Sequence, residues 1–208
     1  MKRNLTICFT SDIHGYYSPL DYASGQPATT GLACCASSFP DDGNTLIIDG
    51  GDNLQGSPFA YWLFRNPTEG AKVSARVMNL AGYDFVTLGN HDFNYGRETL
   101  ETYLRHLDAR CISANVQGLP GVERTAVVTL KNGLRVGITG IVTHFVNLWE
   151  KPEHIEGITV TEAFPAAKAA LEELKKENVD ITVCIYHGGF ENDLETGELL
   201  SATGENQA

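Results

Sequence analysis

The stretch Leu5-Thr6-Ile7-Cys8-Phe9-Thr10-Ser11-Asp12-Ile13-His14-Gly15 decides the fold prediction, because an apolar strand runs directly into a polar segment. The pattern recurs three times: residues 45–48 lead into Gly50-Gly51-Asp52-Asn53, residues 85–88 into Gly89-Asn90-His91-Asp92, and residues 181–186 into His187-Gly188-Gly189. In an open α/β sheet, the loops at the carboxyl ends of the strands converge on one crevice. We therefore expect the four polar segments to face a common point.

The residue types in these segments indicate a metal site. Carboxylate, amide and imidazole ligands suit divalent Mn, Fe, Zn or similar ions, whereas none of the five cysteines lies in a polar segment. Asp12 and His14 are two residues apart, so an extended segment would place both on one face and one ion could take both. Asp52 could then bridge two ions about 3.5–4 Å apart, with Asn90 and His187 completing the shell of the second ion.

Each motif alone has a simpler interpretation. Asp and Gly are ordinary turn residues, and a single Asp-x-His after a strand is most often a loop or capping pair. Four such motifs, each at the end of a predicted strand, are hard to attribute to chance. The combination is the evidence for a shared site.

Together, Asp12-x-His14, Gly51-Asp52, Gly89-Asn90-His91-Asp92 and His187-Gly188-Gly189 resemble the calcineurin-like metallophosphoesterases. Within that family, the segments over residues 11–15, 89–96 and 147–153 look like the bacterial 5'-nucleotidase and 2',3'-cyclic-nucleotide phosphodiesterase branch. The resemblance implies an α/β fold of the layered metallophosphatase type, with mainly parallel mixed sheets flanked by helices.

The resemblance also implies roles for particular residues. Asp12, His14 and Asp52 would hold one divalent ion, and Asp52, Asn90 and His187 the other. His91 would assist the leaving group, with Asp92 as its partner. The implied reaction is hydrolysis of a phosphate ester, a nucleoside 5'-monophosphate or a 2',3'-cyclic nucleotide, by an activated water and without a phosphorylated enzyme. Two alternatives stay open: a metal- or nucleotide-binding module without turnover, and a hydrolase of another ester, such as a sugar nucleotide or a sulfur ester.

The chain departs from the family pattern in one respect. That pattern closes with a Gly-His-x-His motif that gives one histidine to each ion, but the six histidines here are at 14, 91, 106, 144, 154 and 187. Residues 204–208 resemble the start of the helix that precedes the motif. We therefore expect residues 1–208 to be a metallophosphoesterase domain that is incomplete at its C-terminal end. A nucleotide-specificity domain would be absent, metal occupancy reduced or nil, and activity of the fragment very low.

Composition limits the partners. A formal charge of −11 argues against a nucleic-acid polymer or an anionic membrane surface, but bound divalent ions would still allow a small phosphate substrate. An odd number of cysteines and the lack of an apolar leader predict a cytoplasmic protein, although a secreted parent whose signal was removed fits as well. The sequence gives no indication of the oligomeric state.

Periodicity and capping signals predict the remaining elements. Helices are expected over residues 69–80, with Thr68 as N-cap and Gly82 past the end, over 97–107, and over 162–177, with Thr161 as N-cap. Strands over 125–130 and 134–141 flank Lys131-Asn132-Gly133, which predicts a hairpin whose Asn-Gly pair supplies positive φ angles. Residues 15–43 are expected to form a long loop beside the site.

Overall fold

The computed structural model describes residues 2–208, within which strands and helices alternate along most of the chain. The strands are β1 (Thr6–Thr10), β2 (Thr45–Asp49), β3 (Phe85–Val86), β4 (Arg110–Ile112), β5 (Val116–Gln117), β6 (Val122–Glu123), β7 (Thr125–Thr129), β8 (Arg135–Val142), β9 (Thr159–Val160) and β10 (Ile181–His187). The helices are α1 (Leu32–Ala36), α2 (Pro58–Leu63), α3 (Pro67–Ala81), α4 (Arg97–His106), α5 (Val146–Trp149) and α6 (Ala163–Lys175), with a 3₁₀ helix over Asn90–Phe93.

Two main sheets carry the fold. The first has the order β1-β2-β3-β4-β6, and all of its neighbouring strands are parallel. The second has the order β10-β8-β7, with β10 parallel and β7 antiparallel to β8. The predicted α/β architecture of mainly parallel mixed sheets is therefore confirmed. The four predicted strand ends do not share one sheet, however, because β10 pairs with β8 and not with β1, β2 or β3.

The apolar side chains form a layered core that fixes the two sheets against each other. Between the sheets, Ile48 and Phe85 of the first pack with Val136, Ile138 and Ile185 of the second. Burying each such side chain contributes about 1.5–3 kcal/mol. On the opposite face of the first sheet lie α3 and α4, and α6 covers the second sheet. The layer order is helix, sheet, sheet, helix, and the carboxyl ends of β1, β2, β3 and β10 meet at one edge of it.

Two predicted helix N-caps are wrong. Helix α3 begins at Pro67, and Asn66 rather than Thr68 caps it, since the Asn66 side chain accepts the backbone N–H of Glu69. Proline suits the first position of a helix because its missing N–H has no partner there. Thr161 does not cap α6, because its backbone N–H and hydroxyl both donate to the Asn115 carbonyl. Gly82 lies just past the end of α3, as predicted, and it adopts the left-handed conformation.

The hairpin of β7 and β8 is confirmed, but its turn differs from the prediction. Only Gly133 has a positive φ, 84°, and Asn132 does not. Instead, the Asn132 side chain accepts the backbone N–H of Leu134 and donates to the Asn4 carbonyl. Helix α1 interrupts the predicted loop over residues 15–43, and residues 204–208 are non-helical. Within residues 2–208, no helix has the length and apolarity needed to cross a membrane.

Candidate metal centre

The segments after β1 and β2 depart from extended backbone immediately after their strands end. Asp12, His14 and Asp52 have φ values of 57°, 48° and 63°, in the left-handed region that non-glycine residues seldom adopt. The prediction that Asp12 and His14 share a face of an extended segment is therefore wrong. Such strained residues persist only where the surrounding structure holds them, and they concentrate at functional sites.

Backbone hydrogen bonds hold these two segments together. The Asp12 N–H donates to the Gly51 carbonyl at 2.9 Å, and the His14 N–H donates to the Asp52 carbonyl at 2.8 Å. A Cβ on Gly51 would clash with the Gly89 backbone, and a Cβ on Gly89 would clash with the Asp52 carboxylate. The glycines therefore allow the segment after β3 to approach Asp52.

The structure brings together the side chains of all five residues predicted to bind metal. Asp52 Oδ2 lies 3.8 Å from His14 Nε2 and 3.3 Å from His187 Nε2. His14 Nε2 is 3.7 Å from Asp12 Oδ1, and His187 Nε2 is 3.2 Å from Asn90 Oδ1. Among these, ligand atoms of Asp12, Asp52 and His187 lie within 4.8 Å of one another, which makes them a candidate metal site.

The two histidines are oriented in the same way. His14 Nδ1 lies 2.5 Å from the Gln55 carbonyl and His187 Nδ1 lies 2.7 Å from the Gly50 carbonyl. A carbonyl oxygen only accepts, so each Nδ1 carries the hydrogen and each Nε2 faces the carboxylates. Metal-binding histidines in general donate their second ring N–H to such an oxygen, which fixes the tautomer and the ring orientation.

Electrostatics at the cluster favour positive charge. Burial lowers the pKa of His187, but the hydrogen bond and attraction to Asp52 outweigh it and raise this pKa to about 9. Burial raises the pKa of Asp52, but His187 and the backbone N–H of His91 outweigh it and hold this pKa below its ordinary value. The cluster therefore attracts a cation, whether a proton on His187 or a metal ion.

The Asp92 carboxylate is not hydrogen-bonded to the His91 ring, contrary to the prediction that it orients that imidazole. Its Oδ2 accepts the backbone N–H groups of Asp52 and Gly89, both at 2.9 Å, and its Oδ1 accepts those of Asn53 and Leu54, at 2.8 Å and 3.1 Å. This buried carboxylate therefore holds the Asp52 segment against the 3₁₀ helix.

The partner of the His91 ring is Asn94, which sequence reasoning missed. His91 Nδ1 lies 2.8 Å from Asn94 Oδ1. In a 3₁₀ helix, residues three apart lie on the same side, so the spacing of His91 and Asn94 was the available signal. The backbone N–H of His91 donates to Asp52 Oδ1 at 2.7 Å, and the His91 ring packs edge-on against His14 with centroids 5.6 Å apart. His91 is thus placed at the rim of the candidate metal site.

Two further residue groups surround the site. Asp49, fully buried at the end of β2, accepts hydrogen bonds from Thr10 Oγ1, the Gly51 N–H and Asn53 Nδ2. A crevice of about 330 Å³ borders the cluster, and Trp149, Tyr186 and Asn206 contribute to its walls along with Asp12, Asn90 and His187. The crevice is large enough for a small molecule and opens directly onto the candidate ligands.

The fold and the site together define a phosphoesterase domain. Residues 5–204 match the model of the calcineurin-like phosphoesterases, and the chain belongs to this family. Its members use divalent metal ions, which agrees with the candidate metal site.

Particular relatives refine the comparison. The trifunctional nucleotide phosphoesterase protein YfkN of Bacillus subtilis is 30% identical over 93% of this chain and 15% of its own length. A 2',3'-cyclic-nucleotide 2'-phosphodiesterase/3'-nucleotidase of Yersinia enterocolitica is 26% identical over 91% of this chain and 32% of its own length. The crystal structure of a candidate 5'-nucleotidase from Staphylococcus aureus, in complex with alpha-ketoglutarate, superimposes with a TM-score of 0.85 and 35% identity, over 96% of this chain and 40% of that one. The chain thus spans 15–40% of the length of these proteins.

Proposed function

We propose that the intact protein containing this chain hydrolyses phosphate esters of nucleotides with the help of two divalent cations. The observation that carries the proposal is the placement of Asp52 between His14 and His187, whose Nε2 atoms both face it while their Nδ1 atoms are held by backbone carbonyls. A carboxylate between two oriented imidazoles suits a shared ligand of two ions. Asp12 and His14 would complete one ion's protein ligands, and Asn90 and His187 the other's.

The donor set fits the proposed ions. It combines carboxylate, amide and imidazole ligands without a thiolate, which suits Mn, Zn, Fe or similar divalent metals. When bound, such a pair activates a water as nucleophile at neutral pH and neutralises charge on the phosphoryl group. Asp52 is buried and ionised, so its negative charge is available to both ions.

His91 is the proposed general acid. An imidazole exchanges protons near neutrality, so it can donate one to the alkoxide that leaves phosphorus. Its backbone N–H is bonded to Asp52, so the acid and the proposed shared ligand keep a fixed relative position. Asp92 was predicted to take part as the partner of His91. Its role in the proposal is to hold the Asp52 segment in place through four backbone N–H groups.

The substrate proposed is a small nucleotide, a 5'-monophosphate or a 2',3'-cyclic phosphate. The names of the relatives support this class, and the crevice beside the ligands has the volume and aromatic walls that suit a small molecule. We propose neither a nucleic-acid polymer nor a membrane as partner, because the formal charge is −11. All five cysteines are free thiols, which supports the proposed cytoplasmic location, to be tested by cell fractionation.

The ligand count bears on what the 208-residue chain does alone. It supplies five of the seven protein ligands in the family pattern, since the histidines of a Gly-His-x-His motif are not among its six. Loss of a direct ligand should weaken binding by more than the roughly 10–100-fold typical of outer-shell changes. We therefore propose that residues 1–208 form an incomplete domain that holds metal weakly and turns over slowly. The same count favours the alternative of a binding module without turnover.

The test is phosphate release by the intact protein from 5'-, 3'- and 2',3'-cyclic nucleotides with Mn²⁺, with a chelator as control. Metal-dependent turnover that is lost in Asp52→Asn would support the proposal. Calorimetry with the same nucleotides distinguishes hydrolysis from the alternative of a binding module without turnover. Binding with no phosphate release under any metal would overturn hydrolysis and leave the binding module.

A further inference from the structure

The side chain behind the His91 ring is itself held by a remote glutamate. Asn94 Oδ1 faces Nδ1 of the His91 ring, and Asn94 Nδ2 donates to Glu150 Oε2 at 2.6 Å. Glu150 directly follows α5, so the contact joins this segment to the 3₁₀ helix. Its side chain is only 8% exposed, which makes it an unusual position for a carboxylate with no assigned role.

The second carboxylate oxygen of Glu150 is fully engaged as well. Oε1 accepts the Lys151 backbone N–H at 2.8 Å and lies 2.9 Å from His154 Nδ1. Burial raises the pKa of Glu150, but the hydrogen bonds from Lys151, Asn94 and His154 outweigh it and hold this pKa below its ordinary value. Glu150 is therefore an ionised carboxylate, and an ionised carboxylate only accepts hydrogen bonds.

This acceptor decides which way the Asn94 amide points. An asparagine can in general be turned over, so that its oxygen and nitrogen exchange places. Here the nitrogen must face Glu150, because an oxygen there would meet another acceptor. The Asn94 oxygen must then face His91 Nδ1, and since that oxygen only accepts, Nδ1 must carry the hydrogen. Nε2 is left as the ring atom that can take up or release a proton.

We propose that Glu150 is a positioning residue, which acts through the Asn94 amide to hold neutral His91 as the Nδ1–H tautomer with Nε2 free. This inference deepens the proposed function, because a general acid must be recharged at the same atom from which it donates. It does not depend on which nucleotide is the substrate. If Glu150 only linked the α5 segment to the 3₁₀ helix, the His91 tautomer would not change when Glu150 is replaced by another residue.

The first variant to test is Glu150→Gln. A glutamine amide can present either oxygen or nitrogen to Asn94, so the Asn94 amide is no longer forced into one orientation. The readout is the ¹⁵N chemical shifts of the His91 ring in the metal-free protein at alkaline pH, with His91→Ala identifying the signals. The neutral ring in the unmodified protein should be the Nδ1–H tautomer alone, and both tautomers should be populated in Glu150→Gln. Glu153→Gln, at an exposed neighbouring glutamate, is the matched control and should change nothing.

The second test is a rescue. Asn94→Asp alone places two carboxylates at the 2.6 Å contact and should disturb the ring. In the double variant Asn94→Asp with Glu150→Gln, both oxygens of the new carboxylate are acceptors, so either one can face His91 Nδ1. The glutamine amide can donate to the other oxygen. The double variant should return His91 to the Nδ1–H tautomer.

Three results would overturn the inference: an unchanged single tautomer in Glu150→Gln, a folded double variant without recovery, or an unmodified protein with Nε2–H. Should Glu150→Gln not fold, Asn94→Ala serves in its place, since it removes the acceptor, and persistence of the single tautomer there would contradict the proposal. The measurement uses no substrate. Glu150 can therefore be shown to set the His91 tautomer even if the protein has no hydrolase activity. A negative result on the tautomer would not contradict the proposed hydrolysis.

Discussion

Asp52 Oδ2 lies 3.3 Å from His187 Nε2, although Asp52 follows a strand of the first sheet and His187 is the last residue of a strand of the second. The contact crosses the interface between the sheets at their carboxyl edges. It is available because the apolar layer formed by residues such as Ile48 and Ile138 fixes one sheet on the other. A site assembled in this way depends on the packing of the whole domain.

The first prediction concerns Asp52 as the shared ligand. Asp52→Asn in the intact protein should reduce the content of both metals and lower turnover by orders of magnitude, because the charge common to both ions is lost. Metal content is measured by mass spectrometry after dialysis, alongside phosphate release. Asp108→Asn, at an aspartate outside the candidate site, is the control. Two full equivalents of metal with near-normal rates would rule out a shared ligand.

The strand ends and the candidate ligands could be predicted from the sequence, because apolar runs followed by Asp, His and Asn are local signals. The division into two sheets could not, since nothing within residues 181–186 specifies whether β10 pairs with β1 or β8. The close approach of Asp12 and His14 was predicted for the wrong reason. Their left-handed backbone depends on hydrogen bonds to Gly51 and Asp52, far along the chain.

The assignment of Asp92 as the partner of His91 was wrong for a related reason. Adjacent residues of a 3₁₀ helix point in different directions, so Asp92 faces the buried backbone and Asn94 faces the ring. The four N–H groups that Asp92 binds come from loops that only the tertiary fold brings together. Glu150 was beyond reach of sequence reasoning, because its contact with Asn94 joins distant segments.

The second prediction follows from the four backbone bonds of Asp92. Asp92→Asn replaces one carboxylate oxygen by a donor and leaves two buried N–H groups without an acceptor. At about 1–3 kcal/mol for each, the free energy of unfolding should fall by about 2–6 kcal/mol. Urea unfolding of the metal-free chain measures the change. A loss of catalytic rate with unchanged stability would indicate that Asp92 acts on His91 after all.

The third prediction tests His91 as general acid. His91→Ala should keep metal content while lowering the catalytic rate by about 10²–10⁴-fold for nucleotide substrates. For a p-nitrophenyl ester, whose leaving group needs little protonation, most of that loss should disappear. His106→Ala, at a helix position where Nδ1 meets the Thr102 carbonyl, is the control. An equal loss for both esters would point to positioning of the substrate and against proton donation.

The fourth prediction concerns stability against pH. Burial raises the pKa of Asp49 from 3.8 to about 7, so between these values the folded state holds a proton that the unfolded state has released. The contribution of Asp49 to stability therefore falls as pH rises from about 4 to about 7, and stays constant above that. Asp49→Asn should lose less stability between about pH 5 and pH 8 than the unmodified chain, as measured by urea unfolding with a chelator. Asp41→Asn is the exposed control. If the free energy of unfolding of Asp49→Asn varied with pH as it does in the unmodified chain, a raised pKa of Asp49 would be excluded.

Anomalous X-ray diffraction from crystals soaked with saturating Mn²⁺ would show whether two cations share Asp52. We expect two anomalous peaks about 3.5–4 Å apart, one beside Asp12 and His14 and the other beside Asn90 and His187, with the Asp52 carboxylate between them. A single peak away from Asp52, or no peak in the crevice at saturating Mn²⁺, would rule out Asp52 as the shared ligand.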